Sequence, residues 1–275
     1  MHNSAAMPSG RPGDYPMTGL ALLRVPAWEP ERFAAQLNLD WEIDPGEVPE
    51  NFREPWVFRA AGSIVVIGFE PHPVPDNAAD ELARNCVDWP DAAEVARTHA
   101  ACLAVAVIAE TATLVENART AMKVLGSLAR QANVSAVNSA QRLFEPEAFR
   151  TDVMTMQGSA SAFPIFNMVY FGLWRSGEDE PLSGCTVGLA NFMCPELEIL
   201  RSPDAPAVIR AQMIAAAMTQ ITRGRPLEEG EELALSGTRF RAELRDSAAI
   251  PGTKTTHLVA LGPVPTGEPV KRKRF

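Results

Sequence analysis

The run from Ala101 to Ile108 (Ala-Cys-Leu-Ala-Val-Ala-Val-Ile) is apolar at every position. A strand without polar alternation has no face to give to water, so it belongs inside a sheet with cover on both sides. The stretch that follows has a different period. Between Ala112 and Ala132, the residues Leu114, Ala118, Ala121, Leu125, Leu128 and Ala132 recur at three- and four-residue steps and form one apolar helical stripe. A fully apolar strand followed by a long amphipathic helix rules out an all-β or all-α chain and requires helices packed on a sheet.

The flanking segments extend this pattern. Leu20 to Val25 reads as a strand closed by Pro26, and a short helix from Pro30 to Leu37 puts Phe33 and Leu37 on one face. Trp56 to Arg59 and Ser63 to Gly68 form a hairpin around Gly62. Pro71, Pro73 and Pro75 stiffen a connector, after which Asp76 and Asp88 can each cap a helix. A second pass gives a strand at Val134–Ser139, a helix at Pro146–Met156 and a long strand at Ile165–Trp174. Further strands fall at Cys185–Phe192 and Leu197–Leu200. A helix from Pro203 to Thr222 follows, capped by Ser202 and stopped by Gly224, and strands at Thr238–Leu244 and His257–Leu261 complete the pass. The expectation is an α+β protein of two ferredoxin-like βαββαβ halves, residues 18–132 and 133–261, with combined antiparallel sheets. Residues 1–17 read as a flexible leader and 262–275 as a flexible basic tail ending in Lys271-Arg272-Lys273-Arg274-Phe275.

Composition narrows the functional classes. The 275 residues are 46% hydrophobic and 21% charged, which is ordinary for a globular chain, and the net charge is −9. A protein that wraps phosphate backbones needs a basic surface, so no nucleic-acid partner is expected. The longest apolar run, Ala100 to Ala109, is too short to span a bilayer, and no secretory leader is recognisable, which points to a cytoplasmic protein without a membrane partner. Cys86, Cys102, Cys185 and Cys194 form no C-x-x-C pair and read as buried structural thiols. Neither glycine-rich phosphate cradle, no G-x-S-x-G elbow and no H-E-x-x-H pair occurs. His72 reads as a loop residue and His99 and His257 as structural, so no catalytic, metal or cofactor set is expected.

Acidic residues carry the interaction hypothesis. On a strand, Glu196 and Glu198 point to one face and Leu197 and Ile199 to the other, which offers a carboxylate pair to a basic partner. Asp40, Glu42 and Asp44 begin an acid-only segment that continues through Glu47 and Glu50, and Glu228 to Glu232 adds an acidic turn.

The order Pro71-x-Pro73-Val74-Pro75, Asp88-Trp89-Pro90, His99 before an apolar strand, Gly188-Leu189 and Pro195-Glu196-Leu197-Glu198 resembles a bacterial family known as domain of unknown function 4261. The likeness covers residues 18–261, with Ala101 in place of a second histidine in that family's His-x-x-His-like stretch. The resemblance implies an intracellular bacterial protein associated with secretion-delivered toxins. Together with the acidic charge, it implies a non-enzymatic immunity protein that occludes a basic toxin, through Glu196, Glu198, Asp40, Glu42 and Asp44. The alternatives are a small-ligand-binding protein or enzyme of the dimeric α+β barrel type, with a pocket lined by Trp174, Phe171 and His99, and an accessory protein of a secretion apparatus.

Overall fold

The computed structural model describes residues 16–50, 54–159 and 162–264. The chain divides into two units, residues 16–170 with 190–192, and residues 171–189 with 193–264.

The first unit contains β1 (Met17–Leu23), α1 (Pro30–Trp41), β2 (Trp56–Ala60), β3 (Ser63–Glu70), α2 (Ala78–Ala83), α3 (Ala92–Thr98), β4 (Ala101–Ala109), α4 (Leu114–Leu128), β5 (Val134–Ser139), β6 (Arg142–Phe144) and α5 (Pro146–Met154). Its six strands lie in the order β2-β3-β4-β1-β5-β6, each antiparallel to its neighbours. The apolar run is an inner strand as expected, but its two faces differ. Leu103, Val105 and Val107 are fully buried, whereas Ala104, Ala106 and Ile108 on the other face are half-buried. On that second face, among the described residues, the end at Cys102 is roofed by Ala79 and Ala83 of α2 and Ala92 and Ala96 of α3. The amphipathic helix starts at a reciprocal cap, with the Thr113 hydroxyl accepting from the Glu116 N–H and the Glu116 carboxyl accepting from the Thr113 N–H. The hairpin turn sits at Gly62, whose φ of +77° favours glycine.

The second unit contains β7 (Tyr170–Trp174), β8 (Leu182–Val187), β9 (Leu197–Ser202), α6 (Pro206–Arg223), β10 (Glu232–Leu235), β11 (Thr238–Asp246) and β12 (Lys254–Pro263). Its sheet order is β10-β11-β12-β9-β8-β7, and β12 runs parallel to β9. Its one helix, α6, buries Ile209, Met213, Ala217 and Ile221, and Gly224 ends it at φ +63°.

The fold is therefore α+β with two six-stranded, mostly antiparallel sheets, and two ferredoxin-like halves are not confirmed. In the first unit the strand that α4 feeds, β5, lies beside β1, so the sheet extends past the expected boundary at residue 132. Helix α5 also belongs to the first unit, because Gly126 of α4 leaves room for it: a β-carbon there would stand 2.9 Å from Val153 Cγ1. Among its described residues that leaves the second unit a single α-helix, one short of a βαββαβ plan. The expected strand Ile165–Trp174 shortens to β7, since Ile165–Asn167 forms a 3-10 turn. Ser202 does not cap α6. Ala205 occupies the cap position, and the Ser202 hydroxyl accepts from the Asp204 N–H at 3.2 Å. Most of the leader and tail, residues 1–15 and 265–275, lies outside the described residues, although Met17 is already in β1 and Gly262 and Pro263 are in β12. Among the described residues no helix is long and apolar enough to cross a membrane.

Candidate functional site

The parallel ladder between β9 and β12 is only two pairs long, Leu197 with Thr256 and Glu198 with His257. Beyond that point the two strands no longer pair. The register of β9 on β8 slips by one residue between Ile199 and Ser202, a bulge that holds Arg201 at φ +50°. The register of β12 on β11 slips by one between Ala260 and Gly262, and Gly262 has φ +110°. Two bulges on facing strands thus open a fork in the sheet. The fork contains a cavity of about 450 Å³, with Ile199, Leu200, Phe240, Leu258 and Val259 as apolar walls. Arg201, Asp204, Arg245 and His257 supply its polar groups.

At the closed end of the fork Glu198 is fully buried. Its carboxyl accepts from the Ser247 hydroxyl, the Ala248 N–H at 3.0 Å and the Ala249 N–H at 3.3 Å, all in the turn between β11 and β12. That turn closes on itself: Ile250 N–H donates to the Ser247 oxygen at 2.8 Å, and Ser247 N–H to the Thr253 carbonyl at 2.9 Å. His257, 6% exposed, has its Nε2 3.5 Å from Glu198 Oε2 and makes no hydrogen bond through that nitrogen. Cys185 pairs with Glu198 across β8 and β9. Its thiol is pushed up to about 11 by burial first and by the Glu198 and Glu196 carboxyls next. A thiol at that value is inert as a nucleophile at neutral pH.

The acids proposed as partner contacts separate into two groups. Glu196 is half-buried and accepts from the Thr186 hydroxyl and the Gly188 N–H, both at 2.8 Å. Glu198, fully buried and holding the 247–249 turn, is not presented to a partner. The alternation argument fails at Glu198 because a strand face is solvated only where nothing covers it, and the turn after β11 covers that side chain. Asp40 lies in the last turn of α1 rather than in a loop, and its carboxyl takes Arg130 Nη1 at 2.6 and 2.7 Å on its two oxygens. Glu42 and Asp44 are exposed and make no ion pair among the described residues. The acidic turn is internally matched: Glu228 pairs with Arg225, Glu231 with Arg223, Glu232 with Arg241, and Glu229 accepts from the Leu244 N–H.

The histidine reading holds for His99 in detail. Its Nδ1 faces the Ala96 carbonyl, and its Nε2 accepts from the Val74 N–H at 2.8 Å, which ties the proline-rich connector to α3. Both ring nitrogens are occupied. Phe171 and Trp174 lie on β7 of the second unit. All four cysteines are free and buried. Among the described residues no group of three or more His, Cys, Asp and Glu is placed to hold a metal ion.

Arg201, Arg245 and Ser247 escape a reading of the sequence. Two signals mark their neighbourhood: Pro251-Gly252 requires a turn, and Gly262 with positive φ breaks a strand pattern near its end. Two other cavities, both in the first unit, carry less chemistry. In one, Arg32, Arg130 and Arg150 are each already paired with a carboxylate. The other lies over the small residues Gly19, Gly68, Ala104 and Ala106 of the sheet face. Compared with protein-family models, curated proteins and solved structures, the chain matches none.

Proposed function

We propose that this chain is a non-catalytic binding protein whose ligand occupies the fork between β9 and β12. The observation that carries this reading is the pair of bulges, one on each facing strand, that opens a cavity in an otherwise continuous sheet. Bulges are built features that re-aim side chains and end pairing beside functional sites. A volume of about 450 Å³ with apolar walls and few polar groups suits a small molecule. Recognition rather than turnover follows from how the polar groups are engaged. Glu198 is saturated by three donors, the Asp204 carboxyl accepts from Gln212 at 3.0 Å, and the Cys185 thiol is kept protonated. The test is titration with the neutral fluorophore N-phenyl-1-naphthylamine. Saturable binding of one probe per chain, lost in Leu200→Trp, where the new ring fills the mouth, supports the reading. An absence of binding in the parent protein removes it.

A second reading, immunity-type capture of a basic toxin in the cytoplasm, has its own support. Glu42 and Asp44 are exposed and free of ion pairs among the described residues, so their charge is available to speed association with a cationic partner. Reversing both charges to lysine slows association and flattens its salt dependence if this surface is used. In either reading, the sheet order β3-β4-β1-β5, which places β4 between β3 and β1 and β1 between β4 and β5, supports a ferredoxin-like core in the first unit as the scaffold.

A further inference from the structure

Alternate residues of β9 turn their peptide groups to opposite sides. The Leu197 N–H donates to the Thr186 hydroxyl at 2.8 Å and the Arg201 N–H to the Ser183 hydroxyl at 3.0 Å, both on β8. The alternation of a strand then directs the peptide groups of Glu198 and Leu200 toward β12. The other lip divides in the same way. Ala242 of β11 bonds away from β12: its N–H donates to the Glu231 carbonyl and its carbonyl accepts from the Gly230 N–H, each at 2.8 Å. Arg241 and Glu243 therefore turn toward β12, opposite Val259 and His257. That leaves Thr256, Leu258 and Ala260 facing β9, and the Thr256 N–H does donate to the Glu196 carbonyl at 2.8 Å. Carried on in register, the ladder would join the Leu258 carbonyl to the Leu200 N–H and the Leu200 carbonyl to the Ala260 N–H. Among the described residues it ends at Glu198 and His257, before either bond. The charged side chains at the rim are matched within the unit: Arg201 with Glu180 at 2.7 Å, Arg245 with Glu243, and Asp204 with Gln212 at 3.0 Å.

We propose that the fork binds a short peptide in extended conformation, laid between β9 and β12 as an added strand. This deepens the reading of the fork as a binding site and rests on it. Ile199 to Arg201 on one lip and Leu258 to Ala260 on the other line the cavity, which gives room for about three residues at the ~3.3 Å rise of a strand. An extended backbone is the ligand whose N–H and carbonyl groups alternate at the spacing that both edges present. Ile199, Phe240 and Leu258 are buried and wall the cavity, so the peptide side chain that meets them is apolar. A compact organic molecule would fill the walls and leave both strand edges to water.

The experiment titrates the full chain with the peptide acetyl-Lys-Thr-Val-Val-Thr-Lys-amide and with the same peptide N-methylated at both valines, which removes their backbone donors. The expected result is one unmethylated peptide per chain, with hydrogen exchange slowed in residues 199–202 and 258–262. Loss of two backbone bonds weakens the methylated peptide about tenfold or more. Ala260→Pro deletes the N–H that faces the fork and spares the bonds to β11, so it weakens the unmethylated peptide about fivefold. Ala260→Val keeps that N–H, adds similar bulk and changes affinity less than about twofold. Circular dichroism checks that both variants fold, and the pair of peptides tests the parent protein independently of them. Equal binding of the two peptides overturns the added strand while the fork remains a binding site. Binding of N-phenyl-1-naphthylamine without either peptide does the same. If neither the peptides nor that fluorophore binds, the binding site itself is overturned.

Discussion

Replacing Glu198 with alanine tests whether this carboxyl holds the second unit together or serves a partner. The side chain is fully buried and accepts one hydroxyl and two backbone N–H groups. Ala248 is exposed and Ala249 half-buried, so water can reach part of what the deletion orphans. Each lost acceptor then costs about 1 kcal/mol, toward the low end for buried donors. Three donors give about 3 kcal/mol, before any cost of the space left beside His257. With a urea slope of about 1.5 kcal/mol per molar for a unit of this size, the unfolding midpoint falls by about 2 M. The assay is hydrogen exchange in urea, followed in peptides from β9 and β12, which isolates this unit from the other. Glu198→Gln keeps one carbonyl acceptor and loses about a third as much. A midpoint for Glu198→Ala within about 0.3 M of the parent would refute the reasoning and return Glu198 to the surface-contact model.

Three further outcomes follow from the same geometry. Asp40→Ala leaves Arg130, only 31% exposed, without the carboxylate that binds it through both oxygens. It destabilises the first unit by about 2 kcal/mol in urea unfolding, while Glu42→Ala on the neighbouring exposed site changes stability by less than about 0.5 kcal/mol. Burial lifts Cys102, Cys185 and Cys194 from 9.0 to about 11, so their thiolate fraction at pH 8 falls about 100-fold. Iodoacetamide should therefore label none of the three appreciably in the native protein and all of them in urea, as read by mass spectrometry. Glu116 is held below its ordinary 4.5 by the Thr113 N–H first and the Thr113 hydroxyl second. A depressed carboxyl stabilises the fold above its unfolded value, and that contribution is lost as pH falls through the folded one. Between pH 5 and pH 3 the parent should lose more stability than Glu116→Gln, and parallel pH profiles would contradict the cap.

The second unit also explains why Glu198 does not behave as its local pattern suggests. A charged residue alternating with apolar ones on a strand usually marks a wet face, and Glu196 and Glu198 fit that pattern. Here the turn from Ser247 to Thr253 folds over that face and satisfies Glu198 with donors more than forty positions away in sequence. The same covering leaves His257 as its neighbour, so a residue read as structural and one read as a surface contact become a buried pair.

What the sequence determined was local. The hairpin at Gly62, the amphipathic helix after the 101–108 run, the stop at Gly224 and the inner position of that run were all legible, because each depends on backbone preference or on the period of apolar residues within one segment. The buried thiols and the structural role of His99 were legible for the same reason. Tertiary structure alone decided which strands became neighbours. Helix α5 joined the first unit because Gly126 admits Val153, and the single β9–β12 parallel pairing brought Glu198 to His257 from segments that share no local signal. It also decided the fork. A bulge is a mismatch of register between two strands, so neither strand's own sequence contains it, and Arg201 and Arg245 come to line one cavity only after the ladders of β9 on β8 and of β12 on β11 are formed.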